Sequence, residues 1–246
     1  MNRWLRRLLI TAVVVAIWEG VYRAGLLNPI IFSAPSLIAK AVREDGMTFL
    51  SAMRLTMVEI GLAVAIAWIL GVAFGVVAGA SKSLARVIAP VLSAMIAIPL
   101  VILYPLILAW LGLGPESKVV FGVLSGIFPI ALNTLIGVRH LDPGYTRMAQ
   151  AMGANRFQVL FLVLAPLALP AIVAGLRLGT ALIIIAIVLS EMLSSTDGLG
   201  FWISYHRSLF NTGQVYLGIL LAVLVAAISN ILLSWIEKRF APAKAA

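Results

Sequence analysis

The chain contains no cysteine, and only 11% of its residues are charged. The absence of cysteine excludes disulfide bonds, thiol catalysis and cysteine-based metal sites. The two histidines, His140 and His206, have no carboxylate or second histidine at ligand spacing, so no metal site is predicted. Soluble globular domains carry roughly a quarter charged residues. Because 63% of this chain is hydrophobic, it is not a soluble domain, and we predict that it crosses a membrane several times.

Acidic residues are also scarce: nine Asp and Glu stand against 18 Lys and Arg, which gives a formal net charge of +9. In a soluble protein such an excess would suggest a nucleic-acid partner. Here the basic residues lie at the ends of apolar runs, and no basic patch is interleaved with aromatic residues. The sequence therefore predicts a lipid bilayer as the environment of the chain and no binding of nucleic acid.

The sequence lacks a Gly-x-x-x-x-Gly-Lys-Ser/Thr phosphate loop, so the chain is not expected to bind and hydrolyse ATP by itself. It also lacks a nucleophile with a neighbouring base, and it has no paired carboxylates in a soluble cleft. We therefore predict no catalytic residue and no cofactor in this chain.

The apolar runs predict an all-α membrane protein that forms a single domain over residues 1–246, with about six transmembrane helices. A helix needs roughly 20 apolar residues to span a bilayer. Residues 35–42 are expected to form a separate helix at the outer interface. Placing both termini in the cytoplasm puts most basic residues inside, which the positive-inside rule favours. The predicted spans are residues 8–22, 52–80, 88–111, 119–138, 168–189 and 215–236.

Glycine and proline mark two of these spans. Gly71, Gly75 and Gly79 recur at every fourth position on one face of the second span, which allows close approach of another helix. We favour packing within one subunit over a dimer seam.

The third span contains Pro90, Pro99 and Pro105, and prolines bend helices and free carbonyl groups. Such a broken helix would suit the wall of a translocation path, although proline kinks that serve only the packing of helices are equally common. Pro99, together with Asn133 of the fourth span, is a candidate pathway residue.

The polar stretch of residues 140–170 predicts a helix, a glycine turn and a second helix. Asp142 followed by Pro143 is typical of the start of a helix. Gly153 is typical of the end of that helix, and Asn155 is typical of the N-cap of the second helix. Residues at i, i+3, i+4 and i+7 place four side chains on one face of the first helix. This apolar hairpin would suit either a groove on another protein or an interfacial position on lipid headgroups. The four side chains are Tyr145, Met148, Ala149 and Met152.

The hairpin resembles the cytoplasmic signature loop of the inner-membrane permeases of ABC importers. That pattern is Glu-Ala-Ala, three residues, Gly, and later Leu-Pro; Ala149 matches its second alanine, Gly153 its glycine and Leu169-Pro170 its last pair. Arg147 stands where the family usually has Glu, which puts any acid-based contact with a partner in question. The resemblance implies that an ATPase contacts a set of residues in this loop: Tyr145, Arg147, Met148, Ala149, Met152, Gly153 and Ala154.

The resemblance covers nearly the whole chain from about residue 32 to residue 240. It points to the branch of permeases that moves nitrate, sulfonates, taurine and thiamin-pyrimidine precursors, with a permease core at residues 52–240 and the coupling loop at 140–170. The motifs that carry it are Phe32-Ser33-Ala34-Pro35-Ser36, the glycine-rich run to Gly79, Ile98-Pro99-Leu100 to Trp110-Leu111-Gly112, Phe128-Pro129-Ile130, Gly175-Leu176-Arg177, Glu191 and Gly198-Leu199-Gly200.

The resemblance implies a binding-protein-dependent importer in the bacterial cytoplasmic (inner) membrane. Two permease copies, expected to be identical, would form the path for a small anionic or heterocyclic solute. Cytoplasmic ABC ATPase subunits would bind ATP and Mg²⁺, and a periplasmic or extracytoplasmic solute-binding protein would deliver the substrate. The alternative is a stand-alone secondary transporter or channel, but no internal repeat relates residues 1–120 to residues 121–246.

Ionisable residues within spans are few: Glu19, Glu59, Arg177 and Glu191. A charge in a bilayer should face protein or water. Arg177 is expected near mid-depth, either as a bidentate donor to an anionic substrate or as a structural partner of Glu59 or of freed carbonyls. Glu59 and Glu191 are expected toward the outer ends of their spans, partly solvated, with a possible gating role.

Overall fold

The computed structural model of the protein describes residues 3–240, with side chains described from residue 5 to residue 237. Within these residues the regular structure is entirely helical, which confirms the predicted all-α fold. The helices are α1 (Arg3–Arg23), α2 (Pro35–Ala80), α3 (Lys82–Ala97), α4 (Tyr104–Leu111, preceded by the 3₁₀ turn Leu100–Leu103), α5 (Pro115–Arg139), α6 (Pro143–Ala151), α7 (Arg156–Leu167), α8 (Leu169–Ser194), α9 (Leu199–Ser208) and α10 (Thr212–Phe240).

Four of the described helices are long and apolar enough to cross a bilayer: α2, α5, α8 and α10. A fifth crossing is possible if α3 and the segment Leu100–Leu111 form one span, which is bent by 78° at Pro99. Helix α1 is more highly charged than these, since it carries Arg6, Arg7, Glu19 and Arg23. The break predicted near Pro99 is therefore present, while a single span formed by the two bent pieces and the count of six spans remain predictions.

Helix α2 is longer than the sequence analysis expected. It runs without a break for 46 residues, roughly 70 Å at 1.5 Å per residue, which exceeds the hydrocarbon thickness of about 30 Å. The prediction of a separate interfacial helix at residues 35–42 was wrong. Between Pro35 and Ala80 there is no proline, and the polar stretch near Glu44 lowers hydrophobicity without breaking the helix.

The described chain divides into two compact units. The first comprises the described residues up to Thr56 together with Glu191–Leu224, and the second comprises Met57–Ser190 together with the described residues from Val225 onward. In the first unit a buried cluster joins the N-terminal part of α2 to α9 and to the start of α10, with Phe49 edge-on to Trp202 at 5.5 Å between ring centroids. The members of this cluster are Ala41, Phe49, Leu199, Trp202, Ile203 and Leu217.

The second unit has its main core between α2, α5 and α8. Small residues of α2 and branched residues of α5 and α8 meet there, so the helices approach closely and pack by van der Waals contact, as membrane helices do in the absence of a hydrophobic driving force. The buried members are Ile60, Ala63, Ala67, Ile130, Ile183, Ile184 and Ile187.

The three regularly spaced glycines of α2 lie against α5. A Cβ atom on Gly75 would lie 2.5 Å from the Cβ of Thr134 and 2.6 Å from the carbonyl oxygen of Ala131. Gly71 would meet Ile130, and Gly79 would meet the backbone oxygen of Leu135 at 2.7 Å. The predicted packing within one subunit is confirmed.

We predict that Gly75→Ala destabilises the purified protein by about 1–3 kcal/mol, because the added methyl group meets the backbone of α5, which cannot move without disturbing its own packing. Gly61→Ala, on the same helix, is the matched control, since a Cβ there has open space. It should be neutral or slightly stabilising. Thermal unfolding in detergent, followed by intrinsic fluorescence, measures both; equal midpoints for the two variants would contradict the prediction.

Candidate functional site: a hairpin of helices α6 and α7 and the buried charges

Helix α6 begins where the sequence predicted. Asp142 is its N-cap, and Asp142 Oδ1 accepts a hydrogen bond from the Gly144 N–H at 2.7 Å. Pro143 occupies the first helical position, where its missing N–H costs nothing. The start of the hairpin is therefore fixed by local chemistry alone.

The glycine turn is also confirmed, and its geometry is a Schellman motif. Gly153 has φ +84°, a conformation that is strained for any residue with a Cβ atom. The Ala154 N–H donates to the Ala149 carbonyl at 3.0 Å, and the Gly153 N–H donates to the Gln150 carbonyl at 3.0 Å. These bonds satisfy the last carbonyls of α6 and fix the angle at which the chain leaves it.

Helix α7 begins with a capping box. Asn155 Oδ1 accepts from the Gln158 N–H at 2.9 Å, and Gln158 Oε1 accepts from the Asn155 N–H at 2.8 Å. The sequence analysis predicted the Asn155 cap but missed the role of Gln158. An Asn followed by a Gln three residues later is the signal that would have found it.

The hairpin is anchored to the second unit by a buried apolar cluster. Val159 and Leu164 of α7 pack with Val76 at the end of α2 and Val138 at the end of α5. Ala149 packs against the same cluster, partly buried. The sequence analysis placed Ala149 on one apolar face with Tyr145, Met148 and Met152. In the structure the Ala149 side chain lies at the edge of that face that packs against the cluster, whereas the other three side chains are exposed.

The opposite side of the hairpin exposes large apolar groups. Met152 is 83% exposed, Arg147 is exposed beside Met148, and the rings of Phe157 and Phe161 lie 5.0 Å apart on α7. Large exposed apolar groups gathered on a short, well-capped element are typical of a contact surface. The set is Tyr145, Met148, Met152, Phe157 and Phe161, and we call it the exposed hairpin face.

Arg177 pairs with neither of its predicted partners. Its Nη1 donates to Glu237 Oε2 at 2.9 Å and to Ser234 Oγ at 3.3 Å. Glu237 lies three residues before the end of α10 at Phe240, so the pair is within about one turn of that helix end. The guanidinium of Arg177 therefore already has a carboxylate partner, and its position near mid-depth stays a prediction. The pairing with Glu59 that the sequence suggested is absent.

Glu59 instead forms an ion pair with Lys118 at the start of α5, and both side chains are about 5% exposed. The expectation that Glu59 is partly solvated was therefore wrong. Removing one member of such a pair would leave an uncompensated buried charge, whereas replacing both with apolar residues is often tolerated. The pair therefore holds α2 and α5 in register.

Glu191 is also buried rather than partly solvated, with 1% of its surface exposed. Its two carboxylate oxygens accept hydrogen bonds from the Thr56 hydroxyl and the Gly200 N–H, each at 2.7 Å. Thr56 Oγ1 in turn accepts from the Leu199 N–H at 2.8 Å. Gly198, at φ +101°, lies directly against the carboxylate, where no Cβ atom fits. Glu191 therefore locks the N-terminal end of α9 to α2 and α8 within the first unit.

The two remaining pathway candidates lie near a bend and a proline. Pro99 is exposed and precedes the 3₁₀ turn at the α3–α4 bend. Asn133 donates from Nδ2 to the Pro129 carbonyl at 2.8 Å, so its amide is engaged within its own helix.

A cavity of about 230 Å³ lies beside the bend in the second unit. No charged side chain lines it, and the lining residues include Ile98, Leu100, Phe121, Ser125, Phe128 and Pro129.

The aromatic residues of the segment 190–211 divide into buried and exposed groups. Trp202 belongs to the core of the first unit, whereas Tyr205 is half exposed. His206 packs against Trp202 at 4.2 Å between ring centroids. Burial lowers the pKa of His206, and the charge of Asp45 acts in the opposite direction. The exposed aromatic residues of this segment, Tyr205 and Phe210, are therefore the ones available to an entrance or an aromatic belt.

We predict that Glu191→Ala lowers the unfolding free energy by about 2 kcal/mol or more, because it leaves the buried Gly200 N–H without its acceptor and the Thr56 hydroxyl with only the Ala52 carbonyl, at 3.2 Å. Glu44→Ala is the control: Glu44 is exposed and forms only an i, i+4 pair with Lys40, which is worth a few tenths of a kcal/mol. Thermal unfolding of the purified protein compares them. Similar midpoints for the two variants would show that Glu191 does not lock α9.

Comparison with known proteins identifies the family. Residues 71–245 match the family described as binding-protein-dependent transport system inner membrane component. The chain is 28% identical over 238 residues to the taurine transport system permease protein TauC of Escherichia coli, covering 94% of this chain and 86% of that protein. It is 27% identical over 234 residues to the formylaminopyrimidine transport permease protein ThiX of Halalkalibacterium halodurans, covering 92% and 93%. It is 37% identical over 155 residues to the riboflavin transport system permease protein RibX of Chloroflexus aurantiacus, covering 63% and 58%.

Solved structures share the fold. A chain of the MetNI methionine ABC transporter, in an inward facing conformation, superposes with a TM-score of 0.69 at 19% identity and covers 81% of this chain and 99% of its own. A chain of a bacterial ABC transporter that imports the acidic polysaccharide alginate gives 0.65 at 15% identity, covering 97% and 96%. With the family match over residues 71–245, these findings confirm the predicted resemblance: the chain belongs to the binding-protein-dependent inner membrane components, and it is a transmembrane permease subunit of an ABC importer.

Proposed function

We propose that the exposed hairpin face is the surface on which a cytoplasmic ATPase subunit docks to drive this permease. One observation carries the proposal: a rigidly capped hairpin is fixed to α2 and α5 on one side and exposes five large apolar residues on the other. An amphipathic element of this kind suits a hydrophobic groove on a partner. The alternative of a hairpin resting on lipid headgroups gives no reason for its attachment to the ends of two long helices.

The hairpin would act as a lever. ATP and Mg²⁺ would bind to the partner ATPase subunits, whose closure would move α6 as a rigid body. Because Val159 and Leu164 pack with Val76 and Val138, the movement would be passed to α2 and α5. The two orientations of the permease must be close in energy for such a switch, since nucleotide binding supplies only a limited differential affinity.

The assembly would contain two permease copies, which we take to be identical, and an extracytoplasmic solute-binding protein. The alginate transporter among the structural neighbours was solved with its periplasmic protein, which supports a partner of this kind. We further propose that α1 and the bent α3–α4 segment complete six spans in the inner membrane. Both termini and the hairpin would then lie in the cytoplasm, in agreement with the positive-inside rule.

The substrate would be a small anion or a heterocycle, and the cavity at the α3–α4 bend favours the heterocycle. Its lining offers the rings of Phe121 and Phe128 and no charged group. Pro129 has no N–H to donate to the carbonyl of Ser125, four residues earlier, so that carbonyl lacks its usual helical donor and could accept from a ring N–H. The names of ThiX and RibX support a heterocycle, whereas that of TauC supports an anion.

We predict that Met152→Glu abolishes co-purification of the ATPase subunit and ATP-driven uptake, because a charge would replace an apolar contact on the exposed hairpin face. The matched control is Met47→Glu in α2, which makes the same change at a side chain of nearly equal exposure, 82% against 83%. Affinity purification from native membranes followed by mass spectrometry measures the first effect, and uptake into proteoliposomes measures the second.

The docking proposal fails if Met152→Glu retains the ATPase and full uptake. It also fails if Met47→Glu loses the ATPase to the same extent, since the effect would then reflect general damage to the permease. Uptake without ATP by the permease alone would instead support the stand-alone transporter.

For Arg177 we propose a structural role in which the pair with Glu237 joins α8 to α10. The two side chains are 41% and 29% exposed, so the pair should contribute about 1 kcal/mol or less.

Arg177→Gln should therefore leave the complex assembled and most uptake intact. Arg177→Glu should reduce uptake, and Arg177→Glu with Glu237→Arg should restore it. If Arg177 instead binds an anionic substrate, Arg177→Gln would abolish uptake by an intact complex and the exchange would not restore it.

A further inference from the structure

A basic cavity lies where the beginning of α3 meets the end of α5, within the second unit. Its volume is about 250 Å³. Part of its wall is apolar and part is cationic, which distinguishes it from the uncharged cavity at the α3–α4 bend. The lining residues are Lys82, Ala85, Arg86, Ala89, Leu135, Ile136, Arg139 and His140.

Local structure brings the basic groups together. Ser81 caps α3 directly, and only that one residue separates α2 from α3. Lys82 and Arg86 are therefore i, i+4 neighbours on one face of the first turns of α3. Arg139 is the last residue of α5. The His140 ring is held by its Nδ1 donating to the Ile136 carbonyl at 2.8 Å.

The charges of this cavity are not compensated among the residues that the structure describes. No Asp or Glu lines the cavity, and the ion pairs of the described side chains involve Arg23, Lys40, Lys118 and Arg177 instead. Three like charges around one cavity repel each other, so an anion placed between them would be bound favourably. The positive end of the α3 helix dipole adds to this preference.

We propose that this cavity binds the phosphate of an anionic phospholipid. A free phosphate ion would need only the cationic part, but the buried Leu135 and the half-exposed Ile136 provide an apolar wall beside it. Leu84 and Val87 of α3 continue an exposed apolar surface next to the basic rim. A phosphate at the rim and an acyl chain along the wall use both parts, as basic pockets between transmembrane helices do for lipid headgroups.

The position links the lipid to the coupling hairpin. His140 is followed by Leu141 and then by Asp142, the cap of α6, and Leu141 packs against the cluster that anchors the hairpin. A lipid phosphate on Arg139 would therefore hold the segment from which the hairpin starts. This inference rests on the proposed function, because the cavity faces the inner leaflet only in the orientation proposed above.

The test is native mass spectrometry of the full-length permease, without ATPase, purified in detergent containing equal amounts of dioleoyl phosphatidylglycerol and dioleoyl phosphatidylcholine. Arg86→Gln with Arg139→Gln should reduce the retention of phosphatidylglycerol relative to phosphatidylcholine on the order of tenfold or more. The control, Arg43→Gln with Arg207→Gln, removes two exposed basic residues elsewhere in the chain and should leave the ratio unchanged. Because no ATPase is present, failure of this test is independent of the docking proposal.

Equal losses in both double variants would overturn the proposal, because they would indicate nonspecific attraction to net charge. Displacement of the lipid by millimolar inorganic phosphate without any preference for the lipid would also overturn it, in favour of a free-anion site. If the cavity variant does not fold, photo-crosslinking of the unmodified permease with a phosphatidylglycerol that carries a diazirine near its headgroup gives a second measurement. Labelled peptides should come from residues 82–89 and 135–140, and labelling confined to other segments would refute the site.

Discussion

A charge placed in an apolar helix must find a partner, and this requirement organises the second unit. Glu59 and Lys118 are both buried and form an ion pair. The desolvation of two such charges is offset only in good mutual geometry. The pair therefore fixes the relative position of α2 and α5 more than it stabilises the fold. The two helices cannot slide or rotate past each other without leaving a charge unpaired. The Arg177–Glu237 pair, which is half exposed, imposes a weaker constraint of the same kind on α8 and α10.

The charge pair and the glycine seam act on the same two helices. Lys118 fixes the start of α5, while Gly71, Gly75 and Gly79 bring the remainder of α5 into backbone contact with α2. A tightly packed interface resists continuous deformation. The ends of α2 and α5 therefore form a firm base for the hairpin through the cluster around Val76 and Val138. A force applied to the hairpin would therefore pass to the helices without being absorbed between them.

Sequence predicted the features whose causes are local. The Asp142 cap, the Gly153 turn and the Asn155 cap depend on residues within a few positions of each other, and all three are present. The partners of Lys118 and Arg177 could not be predicted in this way, because each lies about 60 residues away and several carboxylates were available. The continuity of α2 was missed because polarity was taken as a break, although a polar stretch without an interior proline can continue a helix. Ala149 was misplaced because periodicity defines a face but not which edge of it is buried.

The hairpin separates the residues that fix its shape from those that would meet a partner. Its caps, its glycine and its anchoring residues are satisfied within the chain, whereas the exposed hairpin face and Arg147 contribute little to its folding. Apolar contact is non-directional, so docking by this face does not require the acidic residue usual in the family at the position of Arg147. A charge at the rim of an interface affects partner choice and association rate more than affinity. Within the proposed docking, Arg147 would therefore affect the choice of partner, and the coupling movement itself would depend on the apolar face and its anchor.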